Sequence, residues 1–266
     1  MAIDPSARIH PSAVVEPGAQ IGPDCEIGPF SVIGPRVRLA ESVVVKSHAI
    51  VTGLTEIGPA TVVFPFANIG DIPQDLKYQG EETRLIVGAR NRIREGVTMN
   101  TGTEGGGGVT RVGDDCLFMT GSHVGHDAQV GNRVIMANNA ALAGHCIIGD
   151  DVIIGGLSGV HQWVRVGRGA IIGAVTMVTN DVIPHGLVQG PRGVLDGLNL
   201  VGLKRRGVDR AEIAALRAAY QTLAGEEGTF LERVRRLAEE TDSAHVREMV
   251  EFLLADTDRS FLTPNR

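Results

Sequence analysis

The sequence predicts an all-β parallel β-helix of hexapeptide repeats, closed by a C-terminal α-helical domain. Three observations predict it. From Val112 to Val178 every sixth residue is apolar, and glycine follows at seven of those twelve steps. The same period runs from Ile3 through Ile9, Val15, Ile21 and onward to Ile69. Glycine is abundant at 35 residues while aromatics make up only 4%. A period of six fits neither a helix nor a hairpin strand, and it is the mark of stacked parallel coils. The chain divides into a repeat region over 1–184 and a C-terminal segment with helices over 185–266.

Two residues before each large apolar position stands a small or β-branched one, such as Ala19, Cys25, Ser31, Cys116, Ser122 and Cys146. Residues two apart on a strand share a face, so each hexad sends one large and one small side chain inward. Three hexads close one triangular coil, and coils stack at about 4.8 Å, the spacing of paired strands. Each inward Ile, Leu or Val contributes roughly 1.5–3 kcal/mol of burial. Cys25, Cys116 and Cys146 therefore read as core fillers. Ser122 shares their column, which argues against a Ser–His–Asp triad with His126 and Asp127.

The ladder pauses after Ile69 and resumes in phase at Val87, leaving a loop over about 70–85 that holds Gln74-Asp75-Leu76-Lys77-Tyr78. A second loop covers about 100–111 and contains four consecutive glycines. It lacks the Gly-Lys-Ser/Thr ending of a phosphate loop, so it reads as a flexible connection. Arg90, Arg92 and Arg94 alternate on one coil and are expected to point outward as a basic stripe. Beyond Val208 the pattern is helical. Asp209 with Glu212 starts one helix, Thr229 with Glu232 forms a capping box for the next, and a third runs from about Ser243 to Ala255. Between ladder and helices lies Asn199 to Arg206, where Arg205 and Arg206 either clamp a phosphate or merely sit at a helix end.

The net charge of −6 argues against a general nucleic-acid binder. Three scattered cysteines form no disulfide or metal framework, and a reducing compartment is expected. The start, Met1 to Pro5, shows no secretory signal pattern, and no apolar run is long enough to span a membrane.

The register also places the polar residues. His126, Gly144 and Gln162 are eighteen apart and stack in one corner column, with Asp127, His145 and Trp163 in the next. His123 and His161 flank inward residues and face outward. An imidazole suits a general base acting on a hydroxyl, and Asp127 stands ready to orient it. Gly144 offers an unobstructed backbone N–H for an oxyanion. With no accessible Ser or Cys, direct acyl transfer is expected rather than a covalent intermediate. A zinc site like that of β-helical carbonic anhydrases is the alternative from another class, although its histidine spacing differs. A purely structural solenoid would leave the histidine cluster and both loops without purpose.

These segments, together with Arg90 to Glu95, Gly144-His145-Cys146, His161-Gln162 and Gly202 to Gly207, resemble the acyl-carrier-protein–UDP-N-acetylglucosamine O-acyltransferase family over essentially the whole chain. The resemblance implies a left-handed β-helix and a cytoplasmic homotrimer with sites between subunits. It implies transfer of a 3-hydroxyacyl chain from acyl carrier protein to the sugar 3-hydroxyl, the first step of lipid A synthesis. No cofactor and no metal is expected. His126 matches the family's general base and Gly144 its oxyanion donor. Asp75, Lys77, His123, His145, His161 and Gln162 match substrate contacts, and Asn199, Arg205 and Arg206 the nucleotide end. Ala174 matches the position that limits chain length, and Arg90, Arg92 and Arg94 are the candidate dock for the carrier protein. Three departures stand out: Asn100 in place of His, Val201 in place of Glu, and Ala174 in place of Gly. The first raises a 3-amino sugar acceptor as an alternative, and the third suggests a shorter acyl chain. The sister N-acyltransferase has a domain before its ladder, whereas the hexads here begin at Ile3. Acetyltransferases that use coenzyme A share the fold but not the two flanking segments.

Overall fold

The computed structural model describes residues 3–257 and 259–264; the expectation for the N-terminal start therefore rests partly on Met1 and Ala2, outside the described residues. Short strands, mostly of two residues, form three sheets of eleven, nine and eight strands, parallel except for the last pair of the largest, and up to the final two strands of that sheet each strand pairs with the one three places on in sequence. Val14 stands opposite Val32, and His123 opposite Ala141, an offset of eighteen. The expected triangular prism is thus observed coil by coil. Its interior is the predicted set: Ile33, Ile69, Ile93, Phe118, Met136, Leu142, Ile154 and Ile172 are all essentially inaccessible.

The prism edges explain the glycine-poor corners. One residue per corner adopts a left-handed backbone, including Asp127 (φ 60°), His145 (φ 61°) and Trp163 (φ 67°). Such a conformation costs an L-residue roughly 1–2 kcal/mol, and Asp, Asn and His tolerate it best. Hydrogen bonds from coil to coil hold it, as where His145 N–H donates to the His126 carbonyl at 2.9 Å.

All three cysteines face inward, and Ser122 is fully buried beside them. Burial pushes the Cys116 thiol up to about 11 and that of Cys146 up to about 12, so neither is a nucleophile near neutrality.

The stack does not stop at Pro184, as the pattern suggested. Gly186–Gln189 adds a parallel strand beside Ile171–Ile172 and then turns back antiparallel into Val194–Leu198. The helices follow: α1 (Leu200–Arg205), α2 (Arg210–Ala224), α3 (Phe230–Glu240) and α4 (Ala244–Leu254). Asp209, Thr229 and Ser243 cap the last three, and both hydrogen bonds of the Thr229–Glu232 box form. A buried ion pair secures the end of the prism. Asp181 accepts from Arg165 Nε at 2.7 Å, while the Arg165 guanidinium lies over the Phe252 ring.

Candidate active site

The site is built on one edge of the prism. Backbone turns at Gly125–Ala128, Ala143–Cys146 and His161–Val164 stack in consecutive coils and present the two predicted columns side by side. His126 Nδ1–H donates to Asp127 Oδ2 at 2.9 Å, and both side chains are buried. Asp127 is held from the other side by Thr103, whose N–H donates to Oδ1 at 2.9 Å and whose hydroxyl donates to Oδ2 at 2.6 Å. A carboxylate accepts only, so this arrangement keeps the imidazole proton on Nδ1 and leaves Nε2 with a free lone pair. His126 Nε2 has no partner among the described residues, and the ring lines a cleft of about 410 Å³.

Thr103 lies in the glycine-bearing loop, and this revises the sequence reading. The loop is an ordered lid. It forms a short 3₁₀ turn at Glu104–Gly106, and Gly106 packs so closely on Asp127 that a Cβ there would fall within 2.1 Å of the carboxylate carbon. The lid, rather than the corner itself, buries His126 and Asp127. No sequence signal marks this contact, because the loop breaks the period that locates partners.

Gly144 stands one coil above His126. A Cβ there would lie 2.4 Å from His126 Cε1 and 2.5 Å from Nε2. Only glycine lets the ring lie flat against the next turn, and the Gly144 N–H has no acceptor among the described residues. His123 accepts or donates through Nδ1 to Thr98 Oγ1 at 2.7 Å. His123, His161 and Gln162 line the same cleft, as do Gln74 and Asn100. His145 lies edge-on to His126, with ring centroids 4.9 Å apart, and stacks on Trp163 at 3.8 Å. It borders a second hollow of about 740 Å³ with Trp163, Arg165 and Arg259. Asp75 and Lys77 come close enough in the 70–83 loop for their charges to act on His145.

Asn100, noted in the sequence only as a departure, is nearly buried. Its Nδ2 donates to the Ile72 carbonyl at 2.8 Å, which anchors the loop, while Oδ1 has no partner. An unpaired acceptor on the cleft wall calls for a donor from a bound molecule.

Burial lowers the His123 imidazole below 6.5, with the neighbouring His126 adding to the effect. Burial lowers His145 as well, opposed by Asp127. Both stay neutral in the folded chain where the unfolded chain binds protons, so stability rises with pH across this range. Thermal midpoints are expected to fall as pH drops from about 7 through 6.5 and below. A midpoint that rises on acidification over that interval contradicts the assignment.

Other predicted residues lie elsewhere. Asn199 is buried and caps α1: Oδ1 accepts from Gly202 N–H and Nδ2 donates to the Gly169 carbonyl, both at 2.9 Å. These two bonds make it a cap for α1 and fix its orientation. Arg205 is exposed, and Arg206 packs against His185 beside Gly169, along a different edge of the prism from His126. Val201 is exposed at the start of α1. Ala174 is exposed on the third edge, outside the cleft.

Arg90, Arg92 and Arg94 all face outward as expected, but two of them are ion-paired at the surface. Arg90 makes paired 2.7 Å hydrogen bonds to Asp115, and Arg94 pairs with Glu95. Only Arg92 of the three lacks an acidic partner among the described residues. Asp115 follows Arg90 by 25 residues, not eighteen, because the glycine-bearing loop intervenes, and the pairing was hidden for that reason.

His126, Asp127 and His145 offer ligand atoms within 4.8 Å of one another, the grouping the zinc alternative needs. The Asp127 oxygens in that group are already occupied by Thr103 and His126.

Comparison with known proteins gives a consistent result. A family model described as UDP N-acetylglucosamine O-acyltransferase, domain 2, matches residues 181–262, and one for bacterial transferase hexapeptide repeats matches 3–35 and 18–53. An acyl-[acyl-carrier-protein]–UDP-N-acetylglucosamine O-acyltransferase of Paracoccus denitrificans is 68% identical over 77% of each chain. Its namesake in Rhizobium johnstonii is 52% identical over 99% of this chain and 97% of its own. The solved UDP-N-acetylglucosamine acyltransferase of Campylobacter jejuni superposes with a TM-score of 0.92 at 39% identity, covering 97% of this chain and all of that one.

Proposed function

The chain belongs to the acyl-[acyl-carrier-protein]–UDP-N-acetylglucosamine O-acyltransferases, and from that membership we propose how its own residues carry out the reaction. The enzyme moves an acyl chain from its thioester on acyl carrier protein to UDP-N-acetylglucosamine, the opening step of lipid A synthesis, on a left-handed β-helix. His126 Nε2 takes the proton from the sugar 3-hydroxyl, and the oxygen attacks the thioester carbonyl of a 3-hydroxyacyl chain. The Gly144 N–H stabilises the oxyanion. On collapse the C–O bond remains, the C–S bond breaks, and the imidazolium returns its proton to the departing thiolate. The observation that carries this reading is the buried Asp127–His126 pair, whose free nitrogen reaches a cleft beside an unpaired N–H.

His123, His161 and Gln162 contact substrate in the cleft, with Asp75, Lys77 and His145 flanking it. Asn100 Oδ1 accepts a hydrogen from the sugar. The 3-amino acceptor and the zinc hydratase are not favoured, since the relatives are O-acyltransferases acting on UDP-N-acetylglucosamine.

The protein works as a homotrimer in the cytoplasm. Arg205 and Arg206 lie on another edge from His126, so a neighbouring copy is needed to bring the nucleotide end to the cleft. Exposed Phe30, Phe66, Leu157 and Val175 share one edge, and Val14 and Ile50 the adjoining sheet, as an interface would require. Arg92, rather than a three-residue stripe, remains to meet the acidic carrier protein. Ala174 contributes to chain-length selection only from beyond the cleft.

The direct test is mass spectrometry of the product from 3-hydroxyacyl carrier protein and UDP-N-acetylglucosamine, with a chelator present. A mono-O-acylated sugar nucleotide formed at an undiminished rate is expected. Loss of product on chelation restores the metal alternative, and acylation of the 3-amino sugar alone would overturn the acceptor.

A further inference from the structure

Where the last coils meet the helices, one buried imidazole touches both. His185 continues the corner column of Arg133, Asp151 and Gly169, and its backbone is left-handed like theirs (φ 60°). Its carbonyl accepts the Asn199 N–H at 2.6 Å, just ahead of α1. Its Nδ1 accepts from Arg206 Nη2 at 3.3 Å, at the end of the same helix. On the far side of the ring, Nε2 faces the Glu248 carboxylate of α4 at 3.6 Å, an ion-pair distance too long for a hydrogen bond. A guanidinium only donates and a carboxylate only accepts. The two neighbours therefore select one neutral tautomer, with the proton on Nε2 and the Nδ1 lone pair turned to Arg206. His185 in turn holds Glu248 below the usual carboxylate range. The other charged groups around the ring are already paired: Asp151 is shared by Arg133 and Arg168, and His245, 5.4 Å from the His185 ring, pairs with Glu212.

Arg206 is thus gripped without being neutralised. Among the described residues its guanidinium has no carboxylate within pairing distance, and its one side-chain acceptor is a neutral ring. Gly169 makes room for it: a Cβ there would lie 2.6 Å from both Arg206 Nη2 and His185 Nδ1. The side chain is only half-buried, and most of its donors are left for an outside anion. We propose that His185 is a positioning residue, which fixes Arg206 against the end of the prism with its charge intact for the diphosphate of the sugar nucleotide. A carboxylate at this corner would hold the guanidinium as firmly but cancel that charge. The inference rests on the acyltransferase reading above and concerns a residue to which that reading gives no part.

The experiment combines steady-state turnover, using a 3-hydroxyacyl carrier protein as donor, with calorimetry of UDP binding to the same intact protein. His185→Phe removes the acceptor, and Phe30 and Phe66 already occupy corners with the same backbone (φ 58° and 64°). It is expected to raise KM for UDP-N-acetylglucosamine about tenfold and to weaken UDP binding by the same factor, as loss of one fixed hydrogen bond to a charged group predicts. The kcat should hardly change, because the contact serves binding alone. His185→Asn tolerates the left-handed corner and puts Oδ1 in place of Nδ1, so it should recover most of the loss. Gly169→Ala pushes the guanidinium out of its slot and should reach the same rise in KM by an independent route. Once Arg206→Ala is present, adding His185→Phe should cost nothing more. Parental KM and UDP affinity in His185→Phe overturn the proposal, as does a further loss in the Arg206→Ala background, which a merely structural contact would give. A parent that binds UDP, loses that binding with His185→Phe and transfers no acyl group would uphold the positioning role and overturn the acyltransferase reading.

Discussion

Replacing His126 with alanine should lower kcat by about 10²–10⁴-fold, the range a positioned general base supplies. The loss should fall on kcat more than on KM, because His123, His161 and Gln162 still line the cleft. The fold should survive. Asp127 keeps its hydrogen bonds from the Thr103 N–H and hydroxyl when the imidazole is gone, so no carboxylate is stranded. The ring lies at the corner under the lid, and the interior stack of Val124, Leu142 and Val160 does not touch that replacement. Unchanged circular dichroism and subunit association alongside the lost turnover would complete the result. Near-normal turnover in this variant would remove His126 from the mechanism.

The second large effect comes from one added methyl group. Gly144→Ala places a Cβ where His126 Cε1 and Nε2 now lie, 2.4 and 2.5 Å away. The ring must give way by about 1 Å, and a misplacement of that size in a catalytic group costs about 10²-fold. Gly144 has an ordinary negative-φ backbone, so alanine suits the turn itself. Stability should therefore change little while kcat falls about 100-fold. Equal kcat for parent and variant would show that the imidazole has room the geometry denies it, and that Nε2 is not held where the reaction needs it.

The hexad count made the prism legible almost residue by residue. Ile33, Leu142 and Ile172 are inside, Cys116 and Ser122 fill the small positions, and the columns of His126 and His145 stack as the register requires. The helix starts were legible for a different reason: Asp209, Thr229 and Ser243 satisfy the first free N–H groups locally. What stayed hidden lies where the period is interrupted. Thr103 is 24 residues from Asp127, and Asp115 is 25 from Arg90, so neither partner can be found by stepping eighteen. The lid over His126 and the Arg90–Asp115 pairing both follow from the same insertion. Asn199 was hidden by chemistry, since an amide that caps a helix and one that binds a nucleotide look alike in sequence.

The eighteen-residue register has a consequence for how such a chain can vary through descent. Base and oxyanion donor occupy neighbouring floors of one tower, and their closeness is the thickness of a single storey. Whole storeys added or lost near Ile21 or Ile33 would lengthen or shorten the tower and leave the reacting atoms undisturbed. A storey intercalated between His126 and Gly144 would fold just as readily, yet it would part the two by one strand spacing and silence the enzyme.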